Sequence, residues 1–351
     1  MEIAVLLTSF MLSYLLTIPT ISIAKKFNLV TDKKKRAHPA HTHLGVIPRA
    51  GGLPIFLALV CTSLMFLPLN KIMIGILLSS TLLIIIGLLD DYFDLSPYFR
   101  FVTNIIISVI VIGFGLGIPF ISIPFFGIVH TDQWKIAFDL GGVHSILIVA
   151  DLLSILWLTW TMNMVNWSKG VDGQLPGFVG ITALFLGIVA QRFTHHDISV
   201  TTVSLFSFIV AGSYLGFLPH NFFPQKIMPG YGGGALAGFL LGILAILSFG
   251  KVGTALLVLA VPTIDAVYTI LRRLKNRQSP FRADWGHFHH RLLEIGWGKR
   301  RIAVFYWTVS LILGISSLFL EGNEKLLVFA SVALILFAFI FIIQRIKKNH
   351  V

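Results

Sequence analysis

The chain has 351 residues, 56% of them hydrophobic and 12% charged, with 27 Lys and Arg against 15 Asp and Glu. Its mean hydropathy is +0.87, and the charged share is about half the roughly 25% of a soluble globular domain. These values exclude an ordinary water-soluble enzyme or binding module and define an all-α integral membrane protein.

Crossing a hydrocarbon core of about 30 Å takes about 20 apolar residues. Eleven runs of that kind predict a bundle of about eleven transmembrane helices: Ile3–Ile23, Gly51–Leu69, Ile72–Leu89, Phe101–Ile118, Ser145–Met162, Leu175–Gln191, Ile198–Leu218, Gly233–Phe249, Val252–Ile270, Ile302–Leu320 and Leu326–Ile343. The first is too long for the apolar core of a signal peptide, and its basic residues follow it, so it is expected to be retained. Between the fourth and fifth runs, Pro119–His144 alternates apolar and polar residues in places and contains Gly127 and Gly141-Gly142, which predicts a short hairpin. With no sizeable soluble block, residues 1–351 are expected to form a single polytopic domain.

Orientation follows from the basic residues. With the amino terminus outside, alternate loops collect Lys25, Lys26, Lys33, Lys34, Lys35, Arg36, Arg49, Arg100, Lys169, Lys226, nine residues of the Arg272–Arg301 segment, and Arg345, Lys347 and Lys348 in the tail. That is 22 of the 27, leaving Lys71, Lys135, Arg192, Lys251 and Lys325 opposite. The positive-inside rule makes the 22 cytoplasmic and the protein a multi-pass resident of the cell inner membrane with a cytoplasmic carboxyl terminus. The same loops account for a pI near 9.9 without nucleic acid as a partner. A lone Cys61 excludes an intramolecular disulfide and a cysteine-based zinc site. Asn166-Trp167-Ser168 fits a glycosylation pattern, but its predicted position is cytoplasmic.

Nearly every unusual polar cluster falls on that same side, so the site is expected from loops 24–50, 90–100, 163–174, 219–232 and 271–301. Asp90, Asp91 and Asp94 follow an uncharged run and are expensive to desolvate at the mouth of a span, which points to chemistry rather than packing. On a helix Asp90 and Asp94 share a face and Asp91 and Asp94 are neighbours, a place for a divalent metal or a metal-bound phosphate. The bland alternative is solvation of a helix end. Asn163 to Gly173 reads either as a functional loop or as a Gly-rich turn with side-chain caps. Gly230-Tyr231-Gly232-Gly233-Gly234 lacks the Gly-Lys-Ser/Thr ending of a P-loop, yet its amides suit an anion. His287, His289 and His290 have neither the cysteines nor the spacing of a structural zinc site. Beside Arg282 and Arg291 they suit phosphate contacts or proton handling, with simple solvation as the alternative. His38, His41 and His43 read as decoration of a basic loop.

In order, Asp90-Asp91-x-x-Asp94, Asn163-x-x-Asn166 with Asp172-Gly173, Asn221 with Pro224-x-Lys226, and Ser279-Pro280-Phe281 followed by His289-His290-Arg291-Leu292 resemble the polyprenyl-phosphate N-acetylhexosamine-1-phosphate transferases. The resemblance covers Arg49 to Leu292 and is closest to the bacterial branch that moves GlcNAc-1-phosphate from UDP-GlcNAc to undecaprenyl phosphate. It implies an in-plane reaction releasing UMP, the first step of a cell-envelope glycan such as lipopolysaccharide or teichoic acid. It also implies Mg²⁺, with Mn²⁺ as a substitute, and a homodimer as the family's common form. Carried over by position, Asp90 and Asp91 would hold the lipid phosphate, Asp91 and Asp94 the metal, and Asn163, Asn166 and Asp172 the nucleotide. Arg49, Asn221, Lys226, Arg282, His287, His289, His290 and Arg291 would face phosphate or sugar.

Two positions depart from the family pattern. Lys169 stands at the first Asp of the family's Asp-Gly-x-Asp-Gly, and Tyr231 stands where a metal-binding Asp is implied. Three readings follow: Lys169 does part of the metal's work and is itself catalytic, or catalysis has decayed to binding, or the remaining aspartates still hold Mg²⁺. A different class, a lipid-phosphate transporter, would use Asp265 and Asp151 as intramembrane ionisable groups.

Overall fold

The computed structural model describes residues 1–32, 45–123, 125–139, 143–192, 198–248, 252–281 and 284–349. Lys33 to Arg36, His38, His41, His43, Lys251 and Arg282 lie outside the described residues. The chain begins with α1 (Glu2–Lys26), β1 (Val30–Asp32), β2 (Val46–Pro48), α2 (Gly52–Phe66), α3 (Lys71–Phe93) and α4 (Pro97–Gly113). Strands β3 (Phe120–Ile123), β4 (Gly127–His130), β5 (Lys135–Asp139) and β6 (Val143–Leu147) lead into α5 (Ile148–Trp167), α6 (Gln174–Gln191), α7 (Ile198–Asn221) and α8 (Gly230–Leu247). The rest is helical: α9 (Val252–Val258), α10 (Ala260–Lys275), α11 (Phe288–Glu294), α12 (Lys299–Ser317) and α13 (Gly322–Asn349).

Every apolar run carries a helix, as hydrocarbon requires of a backbone that must satisfy its own N–H and C=O groups. Among the described residues seven helices are long and apolar enough to cross a membrane, and the bent pair α9 and α10 brings the number to eight. Helices α2 and α4 are shorter, at 15 and 17 residues. The protein is a polytopic helical membrane protein.

Three local expectations change. The ninth run, read as one helix, bends by 82° between α9 and α10. Pro262 has no N–H to offer the Val258 carbonyl, and the Ser310 hydroxyl of α12 donates to that carbonyl instead at 3.1 Å. The segment after α4 forms two hairpins, with Phe120 opposite His130 and Lys135 opposite Leu147. Helix α5 runs on to Trp167, so Asn163 and Asn166 belong to its last turns and not to a loop. An unforeseen pairing of Val30 with Pro48 returns the chain to the end of α1 and places Arg49 there.

Helix α8 is buried along almost its whole length, with α3 and α5 packed on it and α7 packed between α1 and α6. A Cβ on Gly87 of α3 would overlap the backbone of Gly232 on α8, an approach only small residues allow. The segments predicted to be cytoplasmic meet at one end of the bundle. There Gly51 N–H donates to Met228 O (3.0 Å), Met228 N–H to Pro48 O (2.8 Å) and Gly173 N–H to Asn221 Oδ1 (3.1 Å). The hairpin Phe125 N–H donates to Asn323 Oδ1 in the first turn of α13 at 3.0 Å, away from that end. Gly87→Val should separate α3 from α8 and cost about 1–3 kcal/mol, as overpacking does. A lower thermal midpoint in detergent would show this, and an unchanged midpoint would contradict the tight α3–α8 contact.

Candidate active site

The apolar face that carries α3 into the bundle continues into its last turn, so Asp90 and Asp91 are drawn inside, at 0% and 2% exposure. The helix ends at Asp94, which adopts a left-handed conformation (φ 56°) while its N–H donates to Asp90 O at 2.8 Å. Arg100, in the first turn of α4, donates through Nε to Asp90 Oδ1 (2.5 Å) and through a terminal nitrogen to Asp94 Oδ1 (3.2 Å). Asp90 Oδ2 is buried with no hydrogen-bond partner. Asp91 Oδ1 accepts from Tyr231 N–H at 3.1 Å and lies 3.3 Å from Arg49 Nε. Arg49 is set in place because its own N–H donates to Leu29 O at 3.0 Å. Buried carboxylates survive only with such partners.

Lys169, in the turn between α5 and α6, donates to Gly230 O at 2.7 Å, and its Nζ lies 5.9 Å from the centre of the Tyr231 ring. Burial pulls the Lys169 ammonium below the usual lysine range, against the opposing pull of the Asp91 carboxylate. Gly230 has φ 69°, and a Cβ there would strike Arg49 O and Asp91 Oδ2, so the close approach depends on glycine. Tyr231 is 3% exposed. Its hydroxyl donates to Asn104 Oδ1 at 2.9 Å and its ring lies 5.3 Å from the Arg100 guanidinium. Asp90 and Asp91 are thus ringed by Arg49, Arg100 and Lys169. Asp94, half exposed, shares Arg100 and is screened by water.

Asn166 stands beside this cluster: its Oδ1 is buried without a partner, and a Cβ on Gly234 would meet both Asn166 Oδ1 and the Lys169 side chain. Asn163 turns back onto α5, with Nδ2 donating to Thr159 O at 2.7 Å. Asp172 is engaged elsewhere, accepting from Lys299 Nζ (2.9 Å) and Gln225 N–H (3.2 Å). Asn221 closes the same knot by donating to Gln225 Oε1 and Ile227 O, both at 2.9 Å. Lys226 lies exposed outside it.

The histidines lie across the Lys169 turn. A Cβ on Gly170 would collide with the His289 ring, so that glycine lets the turn close on α11. Burial, then the neighbouring His290 and His287, hold His289 well below the usual histidine range, which keeps it neutral. His289 Nδ1 is buried without a partner, and the ring stacks parallel to His287 at 5.7 Å. Asp265 on α10 orders this group: its Oδ2 is 3.0 Å from His287 Nδ1 and its Oδ1 accepts from Phe288 N–H at 2.8 Å. His290 stacks on Trp285 at 3.9 Å. Arg291 donates to Gly286 O at 3.1 Å, which fixes the loop. Asp284 also fixes it: burial raises its carboxyl, but Arg273, Arg272 and the Gly286 N–H outweigh that and hold it well below the usual range.

Asp265 therefore stands with the histidines rather than on a separate ion path, and Asp151 accepts from Leu147 N–H at 3.0 Å, so neither supports the transporter reading. Sequence reasoning also passed over Arg100, Asn104 and Lys299. Arg100 carried a signal, as the sole basic residue between Lys71 and Lys135 and six positions after Asp94.

The residues do not fit Mg²⁺, which demands near-octahedral oxygen ligands. Asp91 and Asp94 turn to different guanidinium partners instead of forming the expected pair. Tyr231 presents a neutral hydroxyl already given to Asn104. No group of three or more His, Cys, Asp or Glu suited to a metal occurs among the described residues.

Beside the acidic turn, an apolar cleft of about 350 Å³ is lined by Phe27, Leu29, Ile85, Leu88, Leu89 and Tyr92. Leu29 O holds Arg49, and Leu88 precedes Asp91 by one helical turn, so the cleft adjoins the charged cluster.

A multi-pass helical membrane protein that gathers two buried carboxylates and three cations at one end of its bundle is built to handle a charged group at a membrane face. Residues 73–249 match the family model described as glycosyl transferase family 4. The chain belongs to that family and is an enzyme of the phosphoglycosyl transferase kind. It is similar to a probable undecaprenyl-phosphate N-acetylglucosaminyl 1-phosphate transferase of Bacillus subtilis, with 28% identity across 90% of this chain and 85% of the relative. A decaprenyl-phosphate N-acetylglucosaminephosphotransferase of Mycolicibacterium smegmatis is 27% identical across 98% and 88%. A phospho-N-acetylmuramoyl-pentapeptide-transferase of Bacillus pumilus is 24% identical across 90% and 96%.

Arg100→Met should leave Asp90 as an unpaired buried charge and cost on the order of 3 kcal/mol. The thermal midpoint should fall and largely recover in the Arg100→Met/Asp90→Asn pair. Simple additivity of the two losses would contradict the pairing.

Proposed function

We propose that the protein transfers GlcNAc-1-phosphate from UDP-GlcNAc to undecaprenyl phosphate at the cytoplasmic face of the inner membrane, as the first step of a cell-envelope glycan. The observation that carries this reading is the buried Asp90 and Asp91 pair set among Arg49, Arg100 and Lys169. Supporting it are the names of the relatives, two of which act on polyprenyl phosphates and N-acetylglucosamine. The basic loops at the same end favour a cytoplasmic site served by eleven spans.

In the proposed reaction a phosphate oxygen of the lipid attacks the sugar-bearing phosphorus of UDP-GlcNAc. A new P–O bond forms, the bond to the UMP oxygen breaks, and UMP leaves with that electron pair. Catalysis of such a transfer is mainly positioning and charge stabilisation. Arg49 and Lys169 draw in the phosphates, while Asp91 holds Arg49 in place and Asp90 holds Arg100. Asn166 Oδ1 offers an acceptor to an N–H or O–H of nucleotide or sugar. Neutral His289 faces the sugar phosphate, oriented through His287 and Asp265. The isoprenyl chain lies in the cleft of Leu29, Ile85 and Leu88, whose Leu29 carbonyl accepts from Arg49 N–H.

Purified protein in nanodiscs should release UMP when given undecaprenyl phosphate and UDP-GlcNAc. Asp91→Asn should lower the rate by about 100-fold or more, the scale of a lost electrostatic contact in a dry site. No UMP from any UDP-N-acetylhexosamine, with or without divalent metal, would sink the proposal.

A further inference from the structure

Resting on that transfer reaction, we infer that Lys169 and Arg49 are the fixed cations that offset charge on the reacting phosphates, in place of a divalent metal. Lys169 Nζ occupies the ground a metal would need, donating to Gly230 O at 2.7 Å beside Asp91. Asp91 Oδ1 is engaged by Tyr231 N–H (3.1 Å) and by Arg49 (3.3 Å), and Oδ2 lies where a Cβ on residue 230 would stand, a closeness that glycine allows.

Charge balance points the same way. Two buried carboxylates already face three cations, so a further dication among them meets like charge with little water to screen it. A phosphate meets the opposite situation. The two buried oxygens without partners, Asp90 Oδ2 and Asn166 Oδ1, supply a single negative charge, and Arg100 already matches it on the other oxygen of Asp90. They are suited to accept hydrogen bonds from a sugar or nucleotide.

Tyr231 completes the exchange. Its ring centre lies 5.9 Å from Lys169 Nζ and 5.3 Å from the Arg100 guanidinium, and its hydroxyl is tied to Asn104. The aromatic face steadies two cations that would otherwise repel each other. A carboxylate at that position would draw Lys169 away from the phosphates. Lys169 and Tyr231 therefore belong together, and changing one alone breaks the arrangement.

Two measurements test this, one of which needs no turnover. In UMP release, EDTA-treated protein should work within about two-fold of the rate with Mg²⁺, while Lys169→Ala falls about 100-fold or more and Lys169→Arg recovers part of the loss. Turnover abolished by EDTA and restored by Mg²⁺ would overturn the inference. Separately, Mn²⁺ binding to substrate-free protein is followed by electron paramagnetic resonance. Wild type should show no binding that Asp91→Asn removes, whereas Lys169→Asp and Lys169→Asp/Tyr231→Asp should gain it. Wild-type Mn²⁺ binding lost in Asp91→Asn would also overturn the inference. Absence of turnover under every condition counts against the transfer reaction itself, and the Mn²⁺ result still decides the metal question.

Discussion

Two carboxylates buried at the end of an apolar helix set the terms for everything near them. Asp90 and Asp91 cannot remain charged inside without cations close at hand, and each cation comes from a different part of the chain. Arg49 arrives after β2, Arg100 from the first turn of α4, and Lys169 from the turn between α5 and α6. Satisfying the two acids therefore requires α2, α3, α4, α5 and α8 to be in register at one end of the bundle. The Tyr231 N–H on Asp91 and the Gly230 carbonyl under Lys169 tie the amino end of α8 to the same point.

Around this centre the loops divide the work. The knot of Asp172, Asn221, Gln225 and Lys299 closes the base of α6, α7 and α12, next to the turn in which Gly170 meets His289 and Lys169 reaches Gly230. The break between α9 and α10 serves the same end. It lets α10 carry Asp265 to His287 and Phe288, while Arg272 and Arg273 hold Asp284 in the loop before α11. Groups thus fixed by neighbours lose little freedom when a substrate arrives, and such preorganisation is what electrostatic catalysis of phosphoryl transfer relies on.

Much of the architecture was legible in the sequence because hydrocarbon allows few alternatives. Apolar runs become helices, and the charges between them collect at the ends. The acidic turn, Lys169, Asn166, Tyr231 and the histidines were likewise readable, since polar groups stand out against so apolar a background. What could not be read was pairing across long separations. Asp172 was read as facing a nucleotide, and its ion pair with Lys299, far along the chain, left no mark in the sequence. Asp265 looked like an intramembrane ionisable group, because the 82° bend between α9 and α10 that goes with its contact to His287 leaves no mark in the apolar run Val252–Ile270. Tyr231 could be seen to replace a carboxylate, but its use as a platform for Lys169 and Arg100 depends on the orientation of its ring.

The most direct test of a cation-built phosphate site is an experimental structure of the protein in nanodiscs with undecaprenyl phosphate, prepared in EDTA. The account predicts phosphate oxygens within hydrogen-bonding distance of Lys169 Nζ and the Arg49 guanidinium, with the first isoprene units along Leu29 and Leu88. A phosphate bound away from Lys169, or one that appears beside Asp91 only when Mg²⁺ is supplied and bridges the two, would contradict it.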